Sequence, residues 1–193
     1  SMKYFNFISR SKFYSRISFY LVGIVLIIIP ILSSCNLDVS SNYTPRISFL
    51  QAPILQNGDS LHIKYTSTEG EFLMDTISVG DTVMFVLHLN AYSNNLTNFV
   101  ISQSADSVSR LVLPNKSSLD SITLPTSDYK LGRFAFKPNY SMMIFSFGYV
   151  ATNTTKNSKF SVYLESDAKF DMGFMGRNSH SFKLITPIKA RMQ

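Results

Sequence analysis

The chain has 193 residues, 45% of them hydrophobic and 13% aromatic, with 18 basic against 12 acidic side chains and a formal net charge of +6. That length suffices for a domain with a sizeable core, and Lys and Arg are scattered singly, which speaks against nucleic acid as a partner. The single cysteine, Cys35, excludes an intrachain disulfide, so the fold must rest on apolar burial alone.

The chain opens with the features of an export signal. Ser1 precedes the initiator-like Met2 and is set aside; Lys3, Arg10, Lys12 and Arg16 then give a positive start with no acidic residue among them. Phe19 to Leu32 is an uninterrupted apolar run. It is shorter than the roughly 20 residues a membrane-spanning helix needs, and Pro30 near its end opposes a long helix. Small residues follow, and the order Leu32-Ser33-Ser34-Cys35 resembles a bacterial lipobox. The resemblance implies that residues 1–34 are removed and that the Cys35 thiol carries lipid, with more than one acyl chain giving stable anchoring. Removing the signal takes four basic residues with it, leaving 14 against 12 acidic ones over 159 residues, a net of +2.

Residues 35–45, "CNLDVSSNYTP", read as a polar tether from the lipid to a domain at 46–193. The signal after that is period two. "TVMFVLHLN" places Val83, Phe85, Leu87 and Leu89 on one face; "GRFAFK" does the same for Phe134 and Phe136. "MMIFSFGYVA" places Met143, Phe145, Phe147, Tyr149 and Ala151 together, and "KFSVYLES" places Phe160, Val162 and Leu164 together. Each predicts a strand half-buried against a core made by Phe85, Leu87, Phe134, Phe136, Phe145, Phe147, Phe160 and Val162. Weaker patterns predict strands at 46–51, 61–66, 72–78, 98–103, 109–113, 121–124 and 181–186, separated by turn clusters such as "QNGDS", "VGDT" and "NTTKNS". No segment after the signal shows a 3.6-residue period with caps. Short strands at this spacing predict an all-β sandwich.

The stretches "VGDTVMFVLHLNAYSNNLTNFVIS" and "FSFGYVATNTTKNSKFSVYLESDA" resemble the strand B–C and strand F–G pairs of immunoglobulin-like modules in bacterial surface lipoproteins, over roughly residues 72–170. The resemblance implies an immunoglobulin-like β-sandwich, with Tyr149 two positions before a core residue. The Trp and the inter-sheet disulfide of antibody domains are missing.

Catalytic chemistry finds little support. His62, His88 and His180 stand apart in sequence with the reading of solvated side chains, and no metal-ligand spacing, Gly-rich phosphate loop or GxSxG occurs, so no metal or cofactor is implied. The closest carboxylate pairs, Glu69 with Glu71 and Asp167 with Asp171, lie in turns, where acidic residues are ordinary. One triplet recurs: Asp59-Ser60-Leu61, Asp75-Thr76-Ile77, Asp81-Thr82-Val83, Asp106-Ser107-Val108 and Asp120-Ser121-Ile122. Composition alone gives roughly one such triplet. It resembles the O-glycosylation site of exported Bacteroidetes-type proteins, which would make Ser60, Thr76, Thr82, Ser107 and Ser121 sugar acceptors. Turn chemistry alone also produces this order, since Asp closes a turn and an aliphatic residue enters the core.

Together these features predict a non-catalytic, lipid-anchored protein of the cell envelope, held at a membrane that is expected to be the outer one and working in binding, adhesion or assembly. One alternative is glycan binding in a polysaccharide-uptake system, through Tyr92, Tyr140 or Tyr163. Another is a minor or anchor subunit of a fimbria-like polymer.

Overall fold

The computed structural model describes residues 43–104, 107–170 and 176–192. Cys35, Asp106 and Asp171 lie outside the described residues. The elements in chain order are β1 (Arg46–Phe49), β2 (Ile54–Leu55), β3 (Ile63–Tyr65), β4 (Glu71–Met74), β5 (Ile77–Ser78), β6 (Thr82–Asn90), β7 (Leu96–Ser104), β8 (Ser109–Val112), a one-turn helix α1 (Lys116–Leu119), β9 (Arg133–Ala135), β10 (Met142–Ala151), β11 (Thr155–Ser166) and β12 (Ser179–Lys189).

They form two sheets. The first runs β1-β6-β10-β8, with β2 continuing along the β6 edge that β1 occupies; the second runs β3-β4-β12-β11-β7-β9, with β5 beside β12. All pairings are antiparallel except that β4 and β5 run parallel to β12. In immunoglobulin lettering the first sheet is A-B-E-D, and β7, β11 and β12 are C, F and G of the second. The chain is therefore an all-β, immunoglobulin-like sandwich.

The period-two residues fill its interior. Phe85, Leu87 and Phe160 are fully buried, and Phe134, Phe136, Phe145, Phe147 and Val162 are at most 4% exposed. Aromatic rings join the two sheets: Phe85 stacks on Phe147 at 5.0 Å and meets Phe160 edge-on at 5.1 Å, while Phe145 meets Phe99 at 4.8 Å and Phe134 at 5.1 Å. Each such ring contributes roughly 1.5–3 kcal/mol by leaving water, plus about 0.5–1.5 kcal/mol for well-placed aromatic pairs.

The expected F–G pair is corrected to E–F. β10 hydrogen-bonds with β6 and β8, whereas β11 hydrogen-bonds with β12 and β7, so the short connection at 152–154 crosses between sheets. Parity could not distinguish these, because both strands point alternate residues into the same interior. Tyr149 is fully buried, and its hydroxyl bonds the Ser158 hydroxyl across the interior. Ser158 donates on to Ser109 Oγ (3.1 Å), and Gln103 Nε2 donates to the Ser109 carbonyl (3.2 Å). Polar side chains on strands C, D, E and F thus tie the sheets together, whereas antibody domains use a B–F disulfide.

Other expectations shift locally. The predicted strand at 72–78 is split into β4 and β5, because at the break the Asp75 carboxylate turns to accept the His62 backbone N–H at 2.8 Å. No strand forms at 121–124; Ile122 and Thr123 both donate backbone N–H to the Leu119 carbonyl, continuing the turn that α1 begins. Asn115 caps α1 by accepting from the Ser118 N–H (3.0 Å), a helix too short to show any period in sequence. The two-residue β2 is equally invisible to a period.

Candidate functional site

The two outer faces of the sandwich differ sharply in chemistry. On the second sheet the outward positions carry Lys159, Glu165, Lys183, Lys189, Glu71 and Arg133 among serines and asparagines, with Leu73 opposite Ile185 and Tyr163 opposite Val100 and Ser181. Charged and polar side chains dominate that surface, with single apolar residues among them. The outward positions of the first sheet read differently. β6 presents Met84, Val86 and His88; β10 presents Met142, Ile144, Ser146 and Val150; β8 presents Val112; and Leu50 follows β1. Met142 and Ile144 are each 59% exposed, Leu50 52%, Val112 45% and Met84 43%.

The register shows how these side chains meet. Gly148 lies between Met84 on one neighbouring strand and Val112 on the other. A β-carbon added there would sit 3.2 Å from Val112 Cβ and 3.7 Å from Met84 Sδ, so both side chains already close over the glycine. Ile144 stands opposite His88, and Ser146 opposite Val86. The result is an apolar floor across β6, β10 and β8, broken by Ser146 and bordered by His88. Sequence reasoning missed it while holding the clue: the outward parity carries Met84 and Val86 in "TVMFVLHLN" and Met142, Ile144 and Val150 in "MMIFSFGYVA", apolar residues that cannot all face the core.

The chain-entry end of the sandwich gathers a second cluster. Tyr92 lies on the β6–β7 loop with φ +60°, and its ring sits 5.4 Å from that of Tyr43. Tyr140 joins this end through its carbonyl, which accepts from Leu96 N–H at 2.7 Å. Tyr163 is elsewhere, on the second sheet's outer face, so the three tyrosines expected as sugar contacts do not form one platform. The neighbouring polar groups are engaged with one another. Asp167 accepts from both the backbone N–H and the side-chain amide of Asn95 at 2.7 Å each, and Asn95 Oδ1 accepts from the Asn139 N–H at 3.1 Å. Their work is to clamp three loops.

The histidines are not simply solvated. His62 Nδ1 lies 2.9 Å from Asp75 Oδ2, and hydrogen bonds from the His62 backbone and ring hold the Asp75 carboxyl below the usual carboxylate range. His88 is half-buried on the apolar floor. His180 is half-buried between β12 and β1, where its Nδ1 accepts the Ile47 N–H at 3.2 Å. Burial, and then the nearby Arg46 charge, lowers its pKa below the ordinary 6.5. Among the described residues no three His, Cys, Asp or Glu side chains converge to hold a metal ion.

His180 makes stability pH-dependent. With a depressed native pKa, the unfolded chain binds more protons at and just below pH 6.5, so stability is complete above 6.5 and is lost as pH falls toward the native value. Urea midpoints should fall on acidification from pH 7 in the natural chain and stay nearly level in His180→Gln. Equal slopes for both would remove His180 from the account. The Asp75 contribution is separate, since it is present above about 3.8 and is lost only below that.

Four of the five triplet hydroxyl residues, Ser60, Thr76, Ser107 and Ser121, are exposed, and Thr82 is half-buried at the start of β6. Two of the triplet carboxylates close local turns, Asp59 taking the Asn57 amide at 2.7 Å and Asp81 the Ser78 N–H at 2.7 Å, while Asp75 takes His62 from across the β3–β4 pair. Turn chemistry thus accounts for Asp59 and Asp81, and the hydroxyl residues other than Thr82 remain exposed. If the hydroxyls carry sugar in the producing cell, intact mass will exceed the polypeptide mass and drop stepwise with Ser60→Ala, Thr76→Ala and Ser107→Ala. A bare polypeptide mass would leave turn chemistry as the whole explanation.

No protein-family model matches the chain, and neither does any curated protein. Among solved structures, the chain is similar to a cohesin module from a Clostridium perfringens family 33 glycoside hydrolase, at 8% identity and a TM-score of 0.33, over 72% of this chain and 98% of that one.

Proposed function

We propose that this chain is a non-catalytic binding module, held at the cell envelope through lipid on Cys35, that joins a partner through the outer face of its first sheet. The observation that carries the reading is the contrast between the two outer faces, one solvated and one apolar with five large side chains 43–59% exposed. The lipobox-like Leu32-Ser33-Ser34-Cys35 supports the anchor, and the outer membrane is the expected site. The polar tether before β1 supports a domain that folds apart from its lipid; residues 41–193 form a compact unit of their own.

The test uses the full chain in the cells that produce it. Cys35→Ala should move the protein out of the membrane fraction with its signal uncleaved; a variant that stays equally membrane-bound would replace the lipid anchor with a signal anchor. Ile144→Asp should leave unfolding midpoints unchanged while collapsing the detergent-solubilised species to the monomer size. If the natural chain already migrates as a monomer, the binding reading fails.

Glycan capture is the second reading, favoured by the Tyr43–Tyr92 ring pair at the chain-entry end. Binding on a glycan array that disappears with Tyr92→Ala would select it over protein binding.

A further inference from the structure

The partner's chemistry can be drawn from what the apolar face carries and what it lacks. The strands β1, β2, β6, β8 and β10 contain no Lys, Asp or Glu; their only full charges are Arg46 and Arg110. Both are exposed and point to the outer side, Arg46 opposite Asn90 at one end of β6 and Arg110 opposite Val150 near the other. Eight residue steps along β6 and three strand spacings across the sheet separate them by about 30 Å corner to corner. The apolar floor lies between.

Met and Arg present, with Lys, Asp and Glu excluded, is the composition of a protein–protein interface core and rim. A membrane-lying face would instead call for several Lys or Arg with Trp or Tyr at the boundary, and the outward positions of these strands hold no aromatic residue. A second copy of the chain is disfavoured too, because two such faces bring arginines together and no carboxylate to meet them. Building on the binding reading above, we infer that this face docks a protein whose contact surface is apolar at its centre and carries carboxylates at two points about 30 Å apart, one for each arginine. Arginine's planar fork suits bidentate pairing with a carboxylate. The charges steer and orient the partner, while Met142, Ile144 and Met84 supply the buried centre.

Site-specific photocrosslinking in the producing cells tests this, with p-benzoylphenylalanine in place of Ile144 and, as control, in place of Ser181 on the opposite face. The expected result is a discrete heteromeric protein adduct from position 144 and none from 181. Its crosslinked peptide should hold Asp or Glu flanking apolar residues, and adduct yield should fall about tenfold when Arg46→Glu and Arg110→Glu are combined. An adduct that forms but ignores both charge reversals overturns the partner chemistry alone and leaves the binding face standing. An adduct of twice the chain's mass, an adduct to lipid, or no adduct from 144 overturns the proposal; the last of these takes the binding reading with it.

Discussion

Phe145→Ala is expected to lower the unfolding free energy by about 3–5 kcal/mol, the range for truncating a fully buried phenylalanine. Phe145 is 1% exposed and meets three rings, Phe99, Phe134 and Phe147, at 4.8, 5.1 and 6.2 Å. The cavity left behind would be lined by rigid aromatic groups from both sheets, which collapse poorly into empty space. Its neighbour Ile144 provides the contrast: on the same strand, 59% exposed and pointing outward, its change to alanine should move stability by no more than about 0.5 kcal/mol. Urea melts of the two variants decide the matter. Comparable losses at both positions would mean that β10 does not divide its residues between interior and surface as described.

Gly132→Ala should be nearly as damaging, for a different reason. Gly132 precedes β9 with φ +66°, and its carbonyl accepts the Ile101 N–H at 2.9 Å. An added β-carbon would lie 2.4 Å from the Ile101 carbonyl oxygen and 3.0 Å from Ile101 Cγ2. The left-handed backbone costs an alanine roughly 1–2 kcal/mol, and displacing a backbone carbonyl adds roughly 1–3 kcal/mol more. Gly58→Ala separates the two contributions, since Gly58 shares a positive φ of +94° but has nothing within 4 Å of the added carbon. Thermal or urea unfolding should place Gly132→Ala well below Gly58→Ala. Equal stability in the two would show that the β7–β9 contact yields without cost.

The candidate site was harder to read than the core. In β6 and β10 the alternation marks which parity is most apolar, and that parity is buried; Met84, Met142 and Ile144 on the other parity form no pattern within either strand alone. Only when four strands lie side by side do they fall next to Val112 and Leu50 and become one surface. The same applies to Arg46 and Arg110, 64 residues apart in sequence and at opposite corners of one sheet. The tyrosines failed in the other direction. Tyr92 and Tyr163 are both exposed, at 42% and 39%, yet sit on different parts of the molecule.

The sequence by itself determined the class of fold and the identity of the core, because a strand's side chains alternate with a period of two and water drives one parity inward wherever that parity is Phe, Leu or Val. It also placed most breaks between strands, where Gly, Asn and Asp allow the chain to turn, but not the break at Asp75 or the turn at 121–124. Only the tertiary structure decided which strands share a sheet. β10 and β11 are joined by three residues yet hydrogen-bond in different sheets, and no local pattern separates a hairpin from a crossover when both strands bury the same parity. The apolar outer face follows from that choice, since a surface patch belongs to a sheet and not to any one of its strands.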